Sequence, residues 1–212
     1  MSKMQYRYAA SENGTVAEPS MENFPVFDEN YIGRFRDIPE DAWYAPEKSS
    51  ILRTVCELGI LLPDRRMNFR PEDPVTLGQV IRAAVMIHRI YNGSAPLLTE
   101  NDGNYQPYLD YAVAHGLMRA GELTDLGREA TRQEMAYLFC RALPEEELQA
   151  VREDINEIKD MDKAYVYYEY ALRLARANII TLQLDDTFKP EDGATRAQLA
   201  SIVDKLIYPR HR

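Results

Sequence analysis

The sequence predicts an all-α protein built from three tandem helix–connector–helix units, and three observations support this fold class. First, the stretch at positions 69–76 recurs at 188–195, and a helical pattern follows each copy. Second, apolar residues recur at the spacing of an amphipathic helix, and no segment shows a convincing strand pattern. Third, the 212-residue chain is 45% hydrophobic and 28% charged, a composition that excludes wholesale disorder and suffices for a core.

The N-terminal segment, residues 1–34, is predicted to be a linker or arm. It combines Ser, Asn, Gly and Glu with two prolines and shows no period. It also lacks the apolar stretch of a secretory signal, so we expect either an intracellular protein or a mature piece of a secreted one. No apolar run in the chain approaches the roughly 20 residues needed to cross a bilayer, so no membrane insertion is expected.

The first unit is predicted at 35–93, with a front helix starting near Ile51 and a back helix starting after Thr76. Counted from Thr76, apolar residues fall at offsets four, five, seven, eight and eleven, which is the stripe of an amphipathic helix. These residues are Val80, Ile81, Ala83, Ala84 and Ile87.

The third unit, predicted at 151–212, repeats this pattern after Thr195. Its apolar residues at the same offsets are Leu199, Ala200, Ile202, Val203 and Leu206. A weaker copy, predicted at 94–150, has a degenerate start, a front helix from Tyr108 to Leu117 and a back helix after Thr131. We therefore expect two helices in each unit.

The three back helices share one N-terminal signal, a threonine followed three positions later by Gln or Glu. These capping boxes are Thr76 to Gln79, Thr131 to Glu134 and Thr195 to Gln198. Each cap is expected to stabilise its helix by roughly 1 kcal/mol.

The first residue after each cap differs among the helices: Arg132 and Arg196 follow two of the threonines, whereas Leu77 follows the third. A cation at a helix N-terminus opposes the macrodipole. Each arginine is therefore either a tolerated solvated side chain or, together with the free amides, part of an anion site. Because this helix position is normally exposed, we expect Leu77→Arg to leave stability nearly unchanged.

A set of short motifs recurs in register across the chain. The first unit carries Phe35-Arg-Asp37, Trp43, Gly59-Ile60 and Phe69-Arg-Pro71; the second carries Gly116-Leu117 and Thr131-Arg-Gln-Glu134; the third carries Lys159-Asp160, Ile179, Phe188-Lys-Pro190 and Thr195-Arg-Ala-Gln198. Over residues 35–208 this pattern resembles the S-layer homology (SLH) family. The three units would then be three SLH repeats.

The resemblance implies a pseudo-threefold, three-lobed helical unit that acts as a non-catalytic anchor without a cofactor. Grooves between its lobes would bind an anionic secondary cell-wall polysaccharide carrying a pyruvylated sugar, at an extracellular, cell-wall location. Arg132 or Arg196 would bind the sugar carboxylate, and Arg196 is expected to contribute most because its repeat keeps the fuller motif. Trp43 or Tyr165 would cover a sugar face. The remaining predicted ligand-binding residues, which would accept from hydroxyls or orient the arginines, are Asp37 and Asp160.

Departures from the family pattern leave an alternative open. Leu77 removes the basic residue from the first repeat, and Asn101–Tyr105 replaces the usual start of the second. We therefore expect one or two working grooves. A degenerate SLH array serving as an assembly scaffold, with surface-protein partners, fits these departures as well. An enzymatic activity would belong to a domain outside this chain.

Other function classes find little support in the residues. The net charge of −9 argues against a nucleic-acid partner, since phosphate contacts require a basic face. No catalytic motif or glycine-rich phosphate loop occurs. His88, His115, Cys56 and Cys140 lack metal-ligand spacing, so we expect no metal site.

Overall fold

The computed structural model describes residues 17–25, 35–46, 49–95, 97 and 103–212. Within these residues the protein is helical and contains no β-strand, only two isolated β-bridges, so the all-α prediction is confirmed. Most of the predicted arm, 1–16 and 26–34, lies outside the described residues, as does the start of Asn101–Tyr105.

Six α-helices form the described part of the chain. They are α1 (Ile51–Glu57), α2 (Leu77–Tyr91), α3 (Gln106–Ala114), α4 (Arg132–Ala142), α5 (Tyr168–Arg176) and α6 (Arg196–Ile207). The odd-numbered helices correspond to the predicted front helices, and the even-numbered ones to the predicted back helices. Helix α3 starts two residues earlier and ends three residues earlier than the predicted span of Tyr108 to Leu117. A short 3-10 helix, Glu145–Glu147, follows α4.

All three predicted capping boxes are present. The hydroxyls of Thr76, Thr131 and Thr195 accept from the third helical amide at 3.3, 3.4 and 3.3 Å. The side chain of that third residue in turn accepts from the backbone amide of the threonine, at 3.1, 2.9 and 2.9 Å. Two helical donors are satisfied at each start, which fixes where α2, α4 and α6 begin.

The same three helix starts also bind the rest of the chain in an equivalent way. The first amide of α2, α4 and α6 donates at 2.9 Å to the carbonyl of Arg128, Asp192 and Asp73, respectively. Helix α2 thus starts on the connector before α4, α4 on the connector before α6, and α6 on the connector before α2. These backbone contacts form a closed cycle; the three-lobed arrangement and the domain boundaries stay predictions.

The core extends over the helix pairs that pack together: α1 with α6, α2 with α3, α2 with α4, and α4 with α5. The residues just before the three capped helices meet inside it. Val75 donates to the carbonyl of Ala194 at 2.9 Å and accepts from the amide of Ala130 at 3.1 Å, and all three residues are buried. Burial of these backbone groups requires such pairing.

Leu77 corrects one expectation from the sequence. Its side chain is 0% exposed, so the expectation that the first position of this helix faces solvent is wrong. The reason is the contact just described: the N-terminus of α2 lies against the connector around Arg128, which excludes water from the first turn.

Candidate functional site

The turn at Phe188 and Lys189 gathers one carboxylate and one guanidinium. Asp160 accepts from the backbone amides of both turn residues, at 2.7 and 2.8 Å. From α4, Arg132 donates through Nε to the carbonyl of Phe188 at 2.7 Å and through Nη2 to the carbonyl of Thr181 at 2.8 Å. Its guanidinium also lies over the Phe188 ring, 4.8 Å from the centroid. We call this double attachment the arginine clasp.

The turn at Phe69 and Arg70 is built in the same way. Asp37 accepts from both backbone amides, at 2.8 and 2.6 Å. From α6, Arg196 donates to the carbonyls of Phe69 at 2.8 Å and Leu62 at 2.9 Å, and lies 4.8 Å from the Phe69 ring centroid. The structure therefore pairs Asp37 with Arg196, and Asp160 with Arg132, each pair on one turn.

Both turns need a residue in the left-handed region, and this explains the aspartates. Arg70 and Lys189 each have a φ of 58°, which costs energy for a residue with a Cβ. A carboxylate that accepts from two successive amides offsets this cost, because charge-assisted hydrogen bonds are stronger than neutral ones. Asp37 and Asp160 thus shape the turns that the arginines contact.

The third equivalent turn lacks both the phenylalanine ring and the arginine that form the clasp. Asp125 has a φ of 55° and lies three positions before Arg128, whose carbonyl accepts from the first amide of α2. In the other two turns the left-handed residue likewise lies three positions before the residue whose carbonyl accepts from a helix start. Thr124 stands where the other turns carry phenylalanine, and Leu77 stands where the other helices carry arginine. Ring and guanidinium are therefore absent together.

The two arginines differ in exposure. Arg196 is only 8% exposed, whereas Arg132 is partly buried and its bond to Thr181 is exposed. Burial lowers the pKa of the Arg132 guanidinium, while Asp192 and Asp160 act in the opposite direction. Within the described residues no carboxylate lies within ion-pair distance of Arg132, and its hydrogen-bond partners are neutral carbonyls. A partly desolvated cation of this kind attracts an anion.

Trp43 is the exposed aromatic residue beside the first turn, with 55% of its surface accessible. Its ring meets that of Tyr44 edge to face at 5.2 Å. The Tyr44 hydroxyl donates to Glu72, on the connector that follows Phe69, at 2.6 Å. Burial, reinforced by Glu72, raises the pKa of Tyr44 to about 12, so the phenol stays protonated and holds Trp43 beside this connector.

Tyr165 begins a row of tyrosines that crosses from the start of α5 to α4. Its ring, 40% exposed, lies 5.5 Å from that of Tyr167, which lies 5.6 Å from that of Tyr137. Tyr137 donates to Glu122 at 2.8 Å, and burial followed by this bond raises its pKa to about 12. Tyr165 and Tyr167 therefore present an aromatic surface between the predicted second and third repeats, and the buried Tyr137, 5% exposed, packs behind it.

The sequence alone identified Tyr165 but missed Tyr137, Phe69 and Phe188 as parts of these sites. The phenylalanines were visible as the start of the recurring stretch, yet their arginine partners lie 127 and 56 residues away. No hydrogen bond or ring contact between described residues joins Tyr165 to Arg132 directly. The two predicted ligand-binding residues therefore lie at separate places: Tyr165 lies just before α5, and Arg132 is the first residue of α4.

No group of three or more His, Cys, Asp or Glu side chains in the described part of the chain is arranged to hold a metal ion. No helix described there has both the length and the apolar character that a bilayer crossing requires.

In a comparison with protein families, residues 157–200 match the S-layer homology domain. The matched segment contains Asp160, Tyr165 and Arg196 and falls inside the predicted third repeat. A search of the curated proteins finds no match. The domain match indicates a cell-wall anchoring module in general, from a family of non-catalytic binding modules found at the cell surface.

Proposed function

We propose that this protein is a non-catalytic anchoring module that binds an anionic secondary cell-wall polysaccharide, with a pyruvylated sugar, in grooves between SLH repeats. The observation that carries this proposal is Arg132. Its guanidinium is held by two carbonyls and a ring, is partly buried, and has no carboxylate at ion-pair distance within the described residues. A sugar carboxylate is a suitable partner for such a group.

The tyrosine row supports a sugar ligand at the same boundary between repeats. Tyr165 exposes 40% of its surface, and Arg132 begins the helix that carries Tyr137. Aromatic rings with one wet edge can cover the apolar face of a sugar while their hydroxyls bond to its polar groups. Trp43 offers a second exposed ring beside the turn that Arg196 contacts.

Burial separates the proposed roles of the two arginines. Arg196, 8% exposed, is proposed mainly to hold the first turn, whereas Arg132 is proposed to bind the ligand. The net charge of −9 opposes long-range steering toward an anionic polymer, so binding would depend on these short-range contacts. Asp37 and Asp160 would act through the turns that they hold.

Calorimetric titration with a purified pyruvylated wall fragment tests the proposal. Arg132→Ala removes a charge-assisted contact and is expected to weaken binding by about tenfold to a hundredfold, the equivalent of roughly 1.5–3 kcal/mol. Arg196→Ala is the matched control, because it breaks the same kind of clasp at a buried position. It should lose comparable stability and keep its affinity within about threefold.

Co-sedimentation with wall material, before and after the secondary polymer is stripped, distinguishes anchoring from scaffolding. Binding that disappears with the polymer supports the proposal. Binding that persists on stripped wall would instead favour the protein-interaction scaffold. Equal affinity losses in the two arginine variants would refute the separate role proposed for Arg132.

A further inference from the structure

A cleft of about 460 Å³ lies within the predicted third repeat, apart from the tyrosine row. It is bounded by the loops at 152–159 and 178–186, which come before and after α5. Its volume falls within the range of pockets that hold small ligands. The carbonyl that Arg132 contacts belongs to Thr181, a lining residue, so the cleft adjoins the arginine clasp.

Hydrogen bonds to backbone carbonyls fix both loops. The backbone amide of Lys159 donates to the carbonyl of Asp186 at 3.1 Å, and the backbone amide of Gln183 donates to the carbonyl of Thr187 at 2.8 Å. On the other side, Arg176 at the end of α5 donates through Nε to the carbonyl of Ile155 at 2.8 Å. The cleft is therefore preformed, which reduces the entropic cost of binding.

The lining combines donors and acceptors at short range. The side-chain amides of Asn178 and Gln183 make no hydrogen bond to any described residue, so both are available to a ligand. Two exposed ion pairs, Arg152–Asp154 at 2.6 Å and Lys159–Asp186 at 2.8 Å, complete the polar wall. Exposed ion pairs contribute little to stability, so either member of a pair can leave its partner and bind a ligand group instead.

The charge balance determines which ligand fits. The lining carries two cations and three carboxylates, and the third carboxylate, Glu157, pairs with Lys163 outside the lining at 3.5 Å. Each carboxylate therefore has a cation partner, and no unpaired charge is left among these described residues to bind an ion. A hydroxyl both donates and accepts, and so suits a wall of amides and ion pairs. Leu184, fully exposed, adds an apolar surface for the C–H face of a ring.

We infer that this cleft binds a neutral, hydroxyl-rich saccharide unit. The inference deepens the proposed function, since it adds an uncharged sugar subsite beside the carboxylate-binding arginine. Binding in the cleft differs from binding at Arg132 in one requirement, because an uncharged ligand does not need the positive charge of that arginine.

Asn178 allows a clean test, because its backbone conformation is that of a glycine. It has a φ of 56° just after α5, and the corresponding residues after α1 and α3 are Gly59 and Gly116, with φ of 69° and 72°. Asn178→Gly therefore removes the amide without disturbing the turn and should leave stability unchanged or slightly higher. Gln183→Ala removes the second amide from an exposed position.

The experiment uses the full chain labelled with ¹⁵N and three probes: maltotriose, N,N′,N″-triacetylchitotriose and the anionic trigalacturonate. A neutral trisaccharide should saturably shift the side-chain amide signals of Asn178 and Gln183 at millimolar concentration, and trigalacturonate should bind more weakly. Asn178→Gly and Gln183→Ala should each weaken neutral binding by about three- to tenfold, the effect of one hydrogen bond. Gln149→Ala, an exposed glutamine outside the cleft, is the control and should bind like wild type.

The inference is overturned if neither neutral probe shifts these amides, if both variants bind like wild type, or if trigalacturonate binds best. The two proposals fail separately. Loss of pyruvylated-fragment binding with retained neutral binding would remove only the proposed function, and the reverse result would remove only the cleft.

Discussion

Leu77→Arg is the most informative substitution, because it places in α2 the residue that α4 and α6 carry at the same position. Leu77 is 0% exposed, and its backbone amide is bonded to the carbonyl of Arg128. In the other two helices the guanidinium rests on a fully buried phenylalanine, but the equivalent turn offers Thr124, which is exposed. The new arginine would therefore find no ring to cover.

The expected loss follows from burial. Removing a fully buried leucine side chain costs about 2–5 kcal/mol when a cavity remains, and a poorly paired cation adds to this cost. We expect Leu77→Arg to lower the free energy of unfolding by at least about 3 kcal/mol. For a chain of 212 residues this corresponds to a decrease in Tm of roughly 6–12 °C.

Urea unfolding followed by circular dichroism at the helix band measures the change, with thermal unfolding as a second readout. Leu77→Ala separates the cavity from the charge, and Leu184→Arg introduces the same cation at a fully exposed leucine. The exposed control should stay within about 0.5 kcal/mol of wild type. A Leu77→Arg variant as stable as that control would refute the burial argument and restore the expectation of an exposed position.

Three other outcomes follow from the caps, charges and thiols. Thr131→Ala should lower unfolding free energy by about 0.5–2 kcal/mol in urea, since the cap hydroxyl then no longer accepts from the helix. Burial acts to raise the pKa of Glu134, but the Arg128 hydrogen bond and ion pair outweigh it, so the net pKa is below the usual 4.5. This stabilisation is present above the unfolded pKa and is lost as pH falls through the lower folded value; Glu134→Gln should flatten acid unfolding measured from pH about 5 downward. Burial raises the pKa of both Cys56 and Cys140 to about 12, so Ellman's reagent should label them rapidly at pH about 8 only after denaturation.

The predicted helices agree with the structure because their signals are local. A threonine hydroxyl reaches an amide three residues away, so Thr131 and Glu134 define the start of α4 whatever the rest of the chain does. The apolar stripe likewise depends only on the helical period, and Val80 and Leu199 are both fully buried.

The candidate site was only partly predictable from the sequence. Arg132 and Asp160 were identified from motifs, but their meeting on the Phe188 turn was not, because no local rule relates residues so far apart in the chain. The sequence could equally place each arginine on the turn of its own predicted repeat. The structure instead places Arg132 on the turn at Phe188 and Arg196 on the turn at Phe69.

The sequence by itself determined the all-α class and the starts of α2, α4 and α6, with the identity of the residues at each start, since periodicity and capping act over a few residues. Only the tertiary structure decided which connector each helix start contacts. That contact buries Leu77 and Arg196 and leaves Arg132 partly accessible. Burial depends on the atoms that distant segments bring together, so equivalent positions in three similar helices acquire different environments.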